Sequence, residues 1–138
     1  MKNGLTITNM FSGTNGSQLS HLPIKSIQEL QFESYQVEGR KGVSIFTLYE
    51  DHTSTVDGPA CAIVRYAPGA VTPRHLHPSW ELILVLEGEL IDDRGHHTAG
   101  VLQVYPPNSS HELSSENGCT FLVVWEKPVQ PVASHERN

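Results

Sequence analysis

Six short runs rich in β-branched and aromatic residues, separated by turns that contain Gly or Pro, constrain the fold of this chain most strongly. Such residues favour strands, whereas Gly and Pro favour the turns between them. The runs comprise residues 43–50, 61–67, 81–86, 89–91, 101–105 and 119–126. Turn signals at this spacing are typical of an all-β barrel or sandwich, and residues 26–30 alone predict one short helical turn.

The length of 138 residues predicts one domain with a core of its own. The first segment of the chain is polar and rich in Gly, Ser and Asn. We therefore predict an N-terminal arm at 1–21, a β-barrel at 22–128 and a C-terminal tail at 129–138. The N-terminus lacks the apolar block of a signal peptide, and the longest apolar stretch is too short to cross a bilayer. We therefore expect a cytoplasmic protein with Cys61 and Cys119 buried and reduced.

The charge of the chain limits its partners. Nine Lys and Arg face fifteen Asp and Glu, which gives a net charge of −6. Nucleic acids and anionic membranes require a basic surface, so neither is an expected partner. This balance does not exclude protein partners.

The strand at 81–86 is apolar on both faces. Ile83 and Val85 share one face with Glu81, whereas the intervening leucines occupy the other. A solvated barrel normally places polar residues outside, so either the N-terminal segment or a second subunit must cover this face. Of these two alternatives we favour a homodimer.

Three histidines and one glutamate form the candidate functional site: His75, His77, Glu81 and His111. Residues two apart on a strand share a face, so His75 and His77 suit one ion. Glu81 points the same way as Ile83 and Val85, and a carboxylate in an apolar interior is costly unless it is paired or binds a cation. An antiparallel strand that starts after a rigid Pro-Pro turn could bring His111 opposite, which predicts a metal site.

The chain has eight histidines, and we expect the other five to lie outside the site. His96 and His97 flank an Arg-Gly turn and are predicted to be exposed to solvent rather than ligands. His21, His52 and His135 lie in polar loops or near the termini, and the same interpretation applies to them.

Two motifs resemble those of the cupin (RmlC-like) superfamily. Residues 69–88 fill each defined position of G-x5-H-x-H-x3-E-x6-G, and residues 100–115 resemble G-x5-P-x-G-x2-H-x3-N. The second motif departs at Asn108, which replaces Gly, and at Ser115, which replaces Asn. Asn tolerates left-handed turns, so that turn should be retained. The resemblance implies a double-stranded β-helix (jelly-roll) barrel that binds metal through His75, His77, Glu81 and His111.

The stretch from residue 81 to 119 is also similar to cupin domains related to the C-terminal half of ChrR-type anti-sigma factors. Those proteins have a preceding zinc-binding domain with an H-x3-C-x2-C ligand set, which this sequence lacks. The resemblance therefore implies a freestanding metallo-cupin, most similar to ChrR-type cupin domains, without the sigma-binding activity.

Two hypotheses follow for the function. Fe, Mn or Ni at this ligand set would leave positions open for a substrate and dioxygen, which predicts a metal-dependent dioxygenase acting on a small organic acid, diketone or phenolic compound. Zn would more often be four-coordinate and closed, which predicts a non-catalytic ligand or oxidant sensor. The sequence does not choose the divalent transition metal.

A barrel of this size encloses one small ligand. Candidates for lining the substrate pocket lie on the strands with inward parity, and they are Arg65, Ile83, Val85, Tyr105 and Phe121. Arg65 has a second interpretation, as an edge residue paired with a surface acid, because a buried unpaired Arg is rare. No pattern supports nucleophilic catalysis or a phosphate loop.

Overall fold

Antiparallel strands form most of the structure, a computed structural model that describes residues 5–7, 26–51 and 58–132. The strands are β1 Leu5–Ile7, β2 Glu33–Ser34, β3 Lys41–Asp51, β4 Ala60–Leu76, β5 Glu81–Asp92, β6 Gly95–Thr98, β7 Leu102–Tyr105, β8 Ser110–Ser115, β9 Cys119–Trp125 and β10 Gln130–Pro131. A 3₁₀ turn at Ile27–Glu29, capped by Ser26, and a second turn at Val37–Gly39 precede β3. The short helical turn predicted at 26–30 is confirmed.

The two longest strands, β4 and β5, each contribute to both walls of a barrel. In one wall the neighbours run β2-β3-β4-β9-β5-β7, through the first halves of β4 and β5. In the other wall they run β10-β4-β8-β5-β6, through the second halves. This arrangement is a jelly roll, which confirms the predicted all-β double-stranded barrel.

A β-bulge in β4 decides which side chains enter the barrel. Thr72 pairs with Leu113 and His75 with His111, so three steps along β4 match two along β8. The extra residue shifts the side-chain alternation by one position. Thr72 and His75 are therefore both buried, whereas Arg74, between them in the chain, remains partly exposed.

Buried apolar side chains fill the barrel interior around the histidines. They include Val43, Val64, Tyr66, Ile83, Val85, Leu90, Tyr105, Leu113, Phe121 and Val123. A second, smaller cluster lies on the outer face of the first wall, where Leu30 packs with Phe46 and Ile63. The segment around Ile27–Glu29 thus covers part of the apolar outer face, which is one of the two alternatives predicted from the sequence.

Two short strands lie in segments that the sequence assigned to the arm and the tail. The backbone of β1 pairs with β3, and β10 pairs with the end of β4. The domain boundaries at 22 and 128 remain predictions. Cys61 and Cys119 are buried and free, as expected. Within the described residues, no helix has the length and apolar character needed to span a membrane.

Candidate metal centre

Four side chains from three strand regions meet inside the barrel. His75 lies at the end of β4, His77 just after it, Glu81 at the start of β5 and His111 in β8. All four are buried, with 1–5% of each residue exposed. The bulge in β4 turns His75 inward, and His77, two residues further along, is buried as well. The antiparallel pairing of His75 with His111 brings β8 to the same place.

The candidate ligand atoms converge on one point. His111 Nε2 lies 2.9 Å from His75 Nε2 and 3.2 Å from His77 Nε2. Glu81 Oε2 lies 3.1 Å from His77 Nε2 and 3.4 Å from His111 Nε2. Two ligand atoms bound at right angles to one ion, each about 2.1 Å from it, would lie about 3 Å apart. The observed spacing therefore matches a shared cation.

The hydrogen bonds behind the imidazoles define their tautomers. His75 Nδ1 donates to the carbonyl oxygen of Pro73 at 3.0 Å. His77 Nδ1 lies 2.9 Å from Ser109 Oγ, whose own hydrogen is donated to Pro106 O. Each Nδ1 therefore holds the ring proton, and each Nε2 presents a lone pair to the centre, as in metal-bound histidines.

The hydrogens of the four side chains cannot provide a hydrogen bond for every buried polar atom of the centre. His111 Nε2 can hold one hydrogen, yet it faces acceptor atoms of His75, His77 and Glu81. Among the described residues Glu81 Oε2 makes no hydrogen bond, and neither does His111 Nδ1. Buried polar atoms without partners are rare and costly, so a cation fits this donor set. Three imidazoles and one carboxylate suit a divalent transition metal.

The pKa of His75 leads to a testable pH dependence of the metal-free protein. Burial, and then the neighbouring His111, lower the pKa of His75 to about 4. The unfolded chain, with a His pKa near 6.5, binds this proton more tightly. The free energy of unfolding is therefore unaffected by this group above about pH 6.5. It decreases as the pH falls from about 6.5 to about 4. At about 1.4 kcal/mol per pKa unit, we expect a loss of about 3 kcal/mol in urea unfolding between pH 7 and pH 4.

Two variants separate the contribution of His75 from that of other titrating groups. His75→Gln should flatten the dependence on pH, whereas His96→Gln, at an exposed imidazole, should keep it. Equal slopes for His75→Gln and the unmodified protein would contradict the assignment.

Four of the five predicted pocket residues lie inside the barrel. Ile83, Val85, Tyr105 and Phe121 are each at least 96% buried, and Ile83 and Phe121 line a cavity of about 20 Å³ beside His75 and Glu81. The ring of Tyr105 packs edge-to-face against His111, with centroids 4.4 Å apart, and at a tilt against His77, with centroids 5.3 Å apart. These contacts hold the imidazoles in place.

Arg65 lies elsewhere, on the outer face of the barrel. Its neighbours Val64 and Tyr66 point inward, so strand alternation turns Arg65 outward, where its guanidinium stacks 4.0 Å above the ring of Phe32. The prediction that Arg65 lines the pocket is therefore wrong in geometry. Its second interpretation, an edge residue paired with a surface acid, differs from the structure as well, because β4 lies between β3 and β9 at this residue and the contact found is with an aromatic ring.

The five remaining histidines divide into three groups. His96 is exposed, with 55% of its side chain in solvent, as predicted. His97 contradicts its prediction: it is 8% exposed, and its Nε2 lies 2.7 Å from Asp92 Oδ1. The hairpin pairs Leu90 with His97, and both face the interior. His21, His52 and His135 lie outside the described residues.

The structure adds one residue that the sequence did not suggest. Arg40 follows the Val37–Gly39 turn, is 7% exposed, and lines the same cavity as His75 and Glu81. Its sequence context, between Gly39 and Lys41 ahead of the first long strand, holds no signal for this position.

Backbone geometry explains two positions in the motif regions. Asn108 adopts φ 72, so the left-handed turn is retained without Gly, as predicted. Gly88 has φ 74, and a Cβ there would lie 2.2 Å from Gly118 O. Only glycine allows β5 and β9 to approach this closely.

The model of the ChrR cupin-like domain family matches residues 26–129 of this chain. No curated protein matches it in sequence. Among solved structures, the chain is similar to that of Rhodobacter sphaeroides SigE in complex with the anti-sigma ChrR, with a TM-score of 0.58 and 22% identity over 72% of this chain and 50% of the other. The chain thus spans about half the length of that relative.

Two further structures share the fold over most of their lengths. The polyketide cyclase RemF from Streptomyces resistomycificus has a TM-score of 0.62 and 25% identity over 80% of this chain and 87% of its own. An acetylacetone dioxygenase from Acinetobacter johnsonii has a TM-score of 0.68 and 13% identity over 82% of this chain and 79% of its own. At such identity the second likeness concerns the fold alone.

Proposed function

The chain belongs to the family of ChrR cupin-like domains, and from this premise we propose that it is a metal-dependent dioxygenase acting on a small organic acid, diketone or phenolic compound. One observation supports the proposal most directly. Imidazole lone pairs and the carboxylate of Glu81 converge inside an apolar barrel without enough protons to satisfy them. Such a centre suits a divalent cation, and a dioxygenase shares the fold.

A bound iron, manganese or nickel ion would supply Lewis-acid and dioxygen chemistry at this centre. The residues of the chain prepare it. Pro73 and Ser109 hold the ring protons of His75 and His77 on the side away from the centre. Tyr105 packs against the rings, and the apolar side chains of Ile83 and Phe121 keep bulk water from the cavity. A dry site strengthens every electrostatic interaction made there.

The second candidate function, a zinc-binding ligand or oxidant sensor without turnover, is favoured by the size of the cavity. About 20 Å³ beside His75 and Glu81 holds little more than one water molecule. A closed site of this kind suits a structural or sensory ion. The family match, to a domain named after ChrR, is compatible with either function.

Metal analysis and oxygen uptake together distinguish the two. The protein would be purified without added salts, its metal content measured, and oxygen consumption followed with acetylacetone as the probe. Iron, manganese or nickel with uptake that is absent in Glu81→Ala supports the dioxygenase. Stoichiometric zinc without uptake supports the sensor, and a protein that binds no metal excludes both.

A homodimer remains part of this proposal. On β7 and just ahead of β5, Leu102, Val104 and Trp80 are 46–55% exposed, so this outer face stays apolar and uncovered by the described residues. We propose that a second subunit packs on it. Light scattering should show that Val104→Glu separates the dimer, whereas Val71→Glu, at an exposed valine of β4, leaves it intact. A monomeric unmodified protein would exclude this arrangement.

A further inference from the structure

We propose that the small-molecule ligand binds in the mouth of the barrel, and that the rings of Tyr35 and Trp125 separate it from the metal centre. The ring of Trp125 then limits the size of the molecules that reach the metal. The proposal rests on the proposed function and narrows its substrate class to compounds without a negative charge, such as the diketones and phenols.

Two cavities lie at this end of the barrel. The outer one, at the mouth where β3 and β9 end and β4 begins, has a volume of about 570 Å³, in the range of pockets that hold a whole small molecule. The inner one, beside His75 and Glu81, has a volume of about 20 Å³, which is room for about one water molecule. An organic ligand therefore fits the mouth, whereas it does not fit beside the metal centre in this structure.

Two aromatic rings form the partition between these cavities. Among the described residues, Tyr35 and Trp125 line both the mouth and the inner cavity. Trp125 lies directly opposite Glu81 in the antiparallel pair of β5 and β9. Side chains that are directly opposite in such a pair project from the same face of the sheet. The ring of Trp125 therefore extends into the barrel beside the candidate ligand Glu81.

Tyr35 is the fixed side of this partition. Its backbone N–H donates to Val43 O at 2.9 Å, and the guanidinium of Arg40 lies 4.7 Å from the centroid of its ring. Arg40 Nη1 in turn donates to Glu38 Oε1 at 2.9 Å and to Val37 O at 3.3 Å. These contacts hold the phenol ring in place, and they already engage the guanidinium of Arg40.

Trp125 is the side of the partition that can move. It is the last residue of β9, and its side chain is only partly buried. Its backbone is held in the sheet by pairing with Ala60 on one side and with Glu81 on the other. A rotation of the indole ring about its side-chain bonds, rather than a movement of the strand, would therefore connect the mouth with the inner cavity.

The side chains at the mouth also determine which charge the ligand can carry. No Lys or Arg of the described residues lines this cavity, whereas four carboxylates do, those of Glu33, Glu38, Glu50 and Asp51. A cavity lined by charges of one sign has a field that repels ions of that sign. An anion is thus disfavoured in the mouth, whereas the two rings of the partition offer an apolar surface to a neutral enol or phenol.

The fluorescence of Trp125 reports on ligand binding in the mouth. The chain has two tryptophans, so Trp80→Phe leaves Trp125 as the single one. Titration of metal-free Trp80→Phe with 4-ethylphenol should change this fluorescence, and the anionic analogue 4-hydroxyphenylacetate should bind at least about tenfold more weakly. Glu33→Gln should reduce this difference, whereas Glu87→Gln, at a carboxylate outside the mouth, should leave it unchanged.

Access to the metal can be measured by loading the centre with cobalt(II), whose visible spectrum changes when a further ligand binds the ion. Imidazole is larger than the inner cavity, so its binding must wait for the partition to open. Rapid mixing should show that imidazole binds at least about tenfold faster in Trp125→Ala than in the unmodified protein. Trp80→Phe, changed on the outer face, should behave like the unmodified protein.

A second variant covers the case in which Trp125→Ala does not fold. Trp125→Phe has a smaller ring and should give a smaller acceleration, and thermal unfolding verifies that each variant is folded. Imidazole that binds equally fast with and without the indole ring overturns the partition. Fluorescence that does not respond to 4-ethylphenol, or equal affinity for the neutral and the anionic probe, overturns the binding site in the mouth.

The same measurements separate this inference from the proposed function. A chain that takes up no cobalt would refute the metal centre, and the titration of metal-free Trp80→Phe would still decide whether the mouth binds the ligand. A cobalt-loaded protein that shows both effects, with no oxygen uptake by its iron, manganese or nickel form, would refute the dioxygenase and support the partition.

Discussion

His77→Ala should purify with almost no bound metal. Its Nε2 is one of the four candidate ligand atoms that converge on the centre, and the residue is 1% exposed. Changes to residues that merely support ligands already lower metal affinity about 10- to 100-fold, so losing a ligand should lower it by at least about 100-fold. Elemental analysis of the purified protein measures this directly.

Loss of the metal should also lower the melting temperature of the protein. A metal ion at a free concentration of about a thousand times its dissociation constant stabilises the folded chain by about 4 kcal/mol. For a chain of this size this raises the melting temperature by about 10 °C. A chelator should therefore lower the melting temperature of the unmodified protein by this amount and leave that of His77→Ala unchanged.

Histidines outside the centre supply the controls. His96→Ala should retain full metal because its side chain is exposed. His97→Ala should retain it as well, since His97 contacts Asp92 and is not part of the ligand group. Full metal content in His77→Ala would show that the ligand assignment is wrong.

Asp92→Ala should destabilise the protein by about 3 kcal/mol or more in urea unfolding. The Asp92 carboxylate accepts hydrogen bonds from the Tyr105 hydroxyl at 2.8 Å and from the backbone N–H of Arg94 at 2.8 Å, and it lies 2.7 Å from His97 Nε2. Each buried donor left without a partner costs about 1–3 kcal/mol. Because Tyr105 packs against His77 and His111, metal affinity should fall too.

The next residue in the chain offers a matched control. Asp93 pairs with Arg74 at 2.6 Å, but its side chain is 43% exposed. Asp93→Ala should cost less than about 1 kcal/mol, the usual range for such surface pairs. If the two alanine variants lose similar stability, the buried network around Asp92 is not important for the fold.

The convergence of the four candidate ligand side chains could be predicted because several independent features of the sequence agree. Ligand type, the spacing of His75 and His77, and a carboxylate that shares a face with Ile83 and Val85 all indicate a cation inside a barrel. The structure brings all four predicted ligands together, with atoms of each within 4.8 Å of the others.

The misplaced residues depend on long-range structure that local patterns do not reveal. Arg65 alternates with inward neighbours, but the sequence does not say which face of its strand is the interior. His97 flanks a turn, yet its pairing with Leu90 turns it inward to Asp92. A turn with few pattern signals delivers Arg40 to the cavity, and this turn is placed by the packing of Gly39 against Pro73, a residue distant in the sequence.

Strand β4 has a consequence for how the chain acquires its structure. It pairs with β3, which comes just before it in the chain, and also with β8 and β9, the latter ending at Trp125. Contacts between segments so distant in sequence close large loops and slow the folding rate, typically to milliseconds or seconds. During synthesis one edge of β4 stays unpaired until the ribosome has released β9, which ends near residue 125. The nascent chain is therefore most exposed to aggregation in this interval, before any metal can be bound.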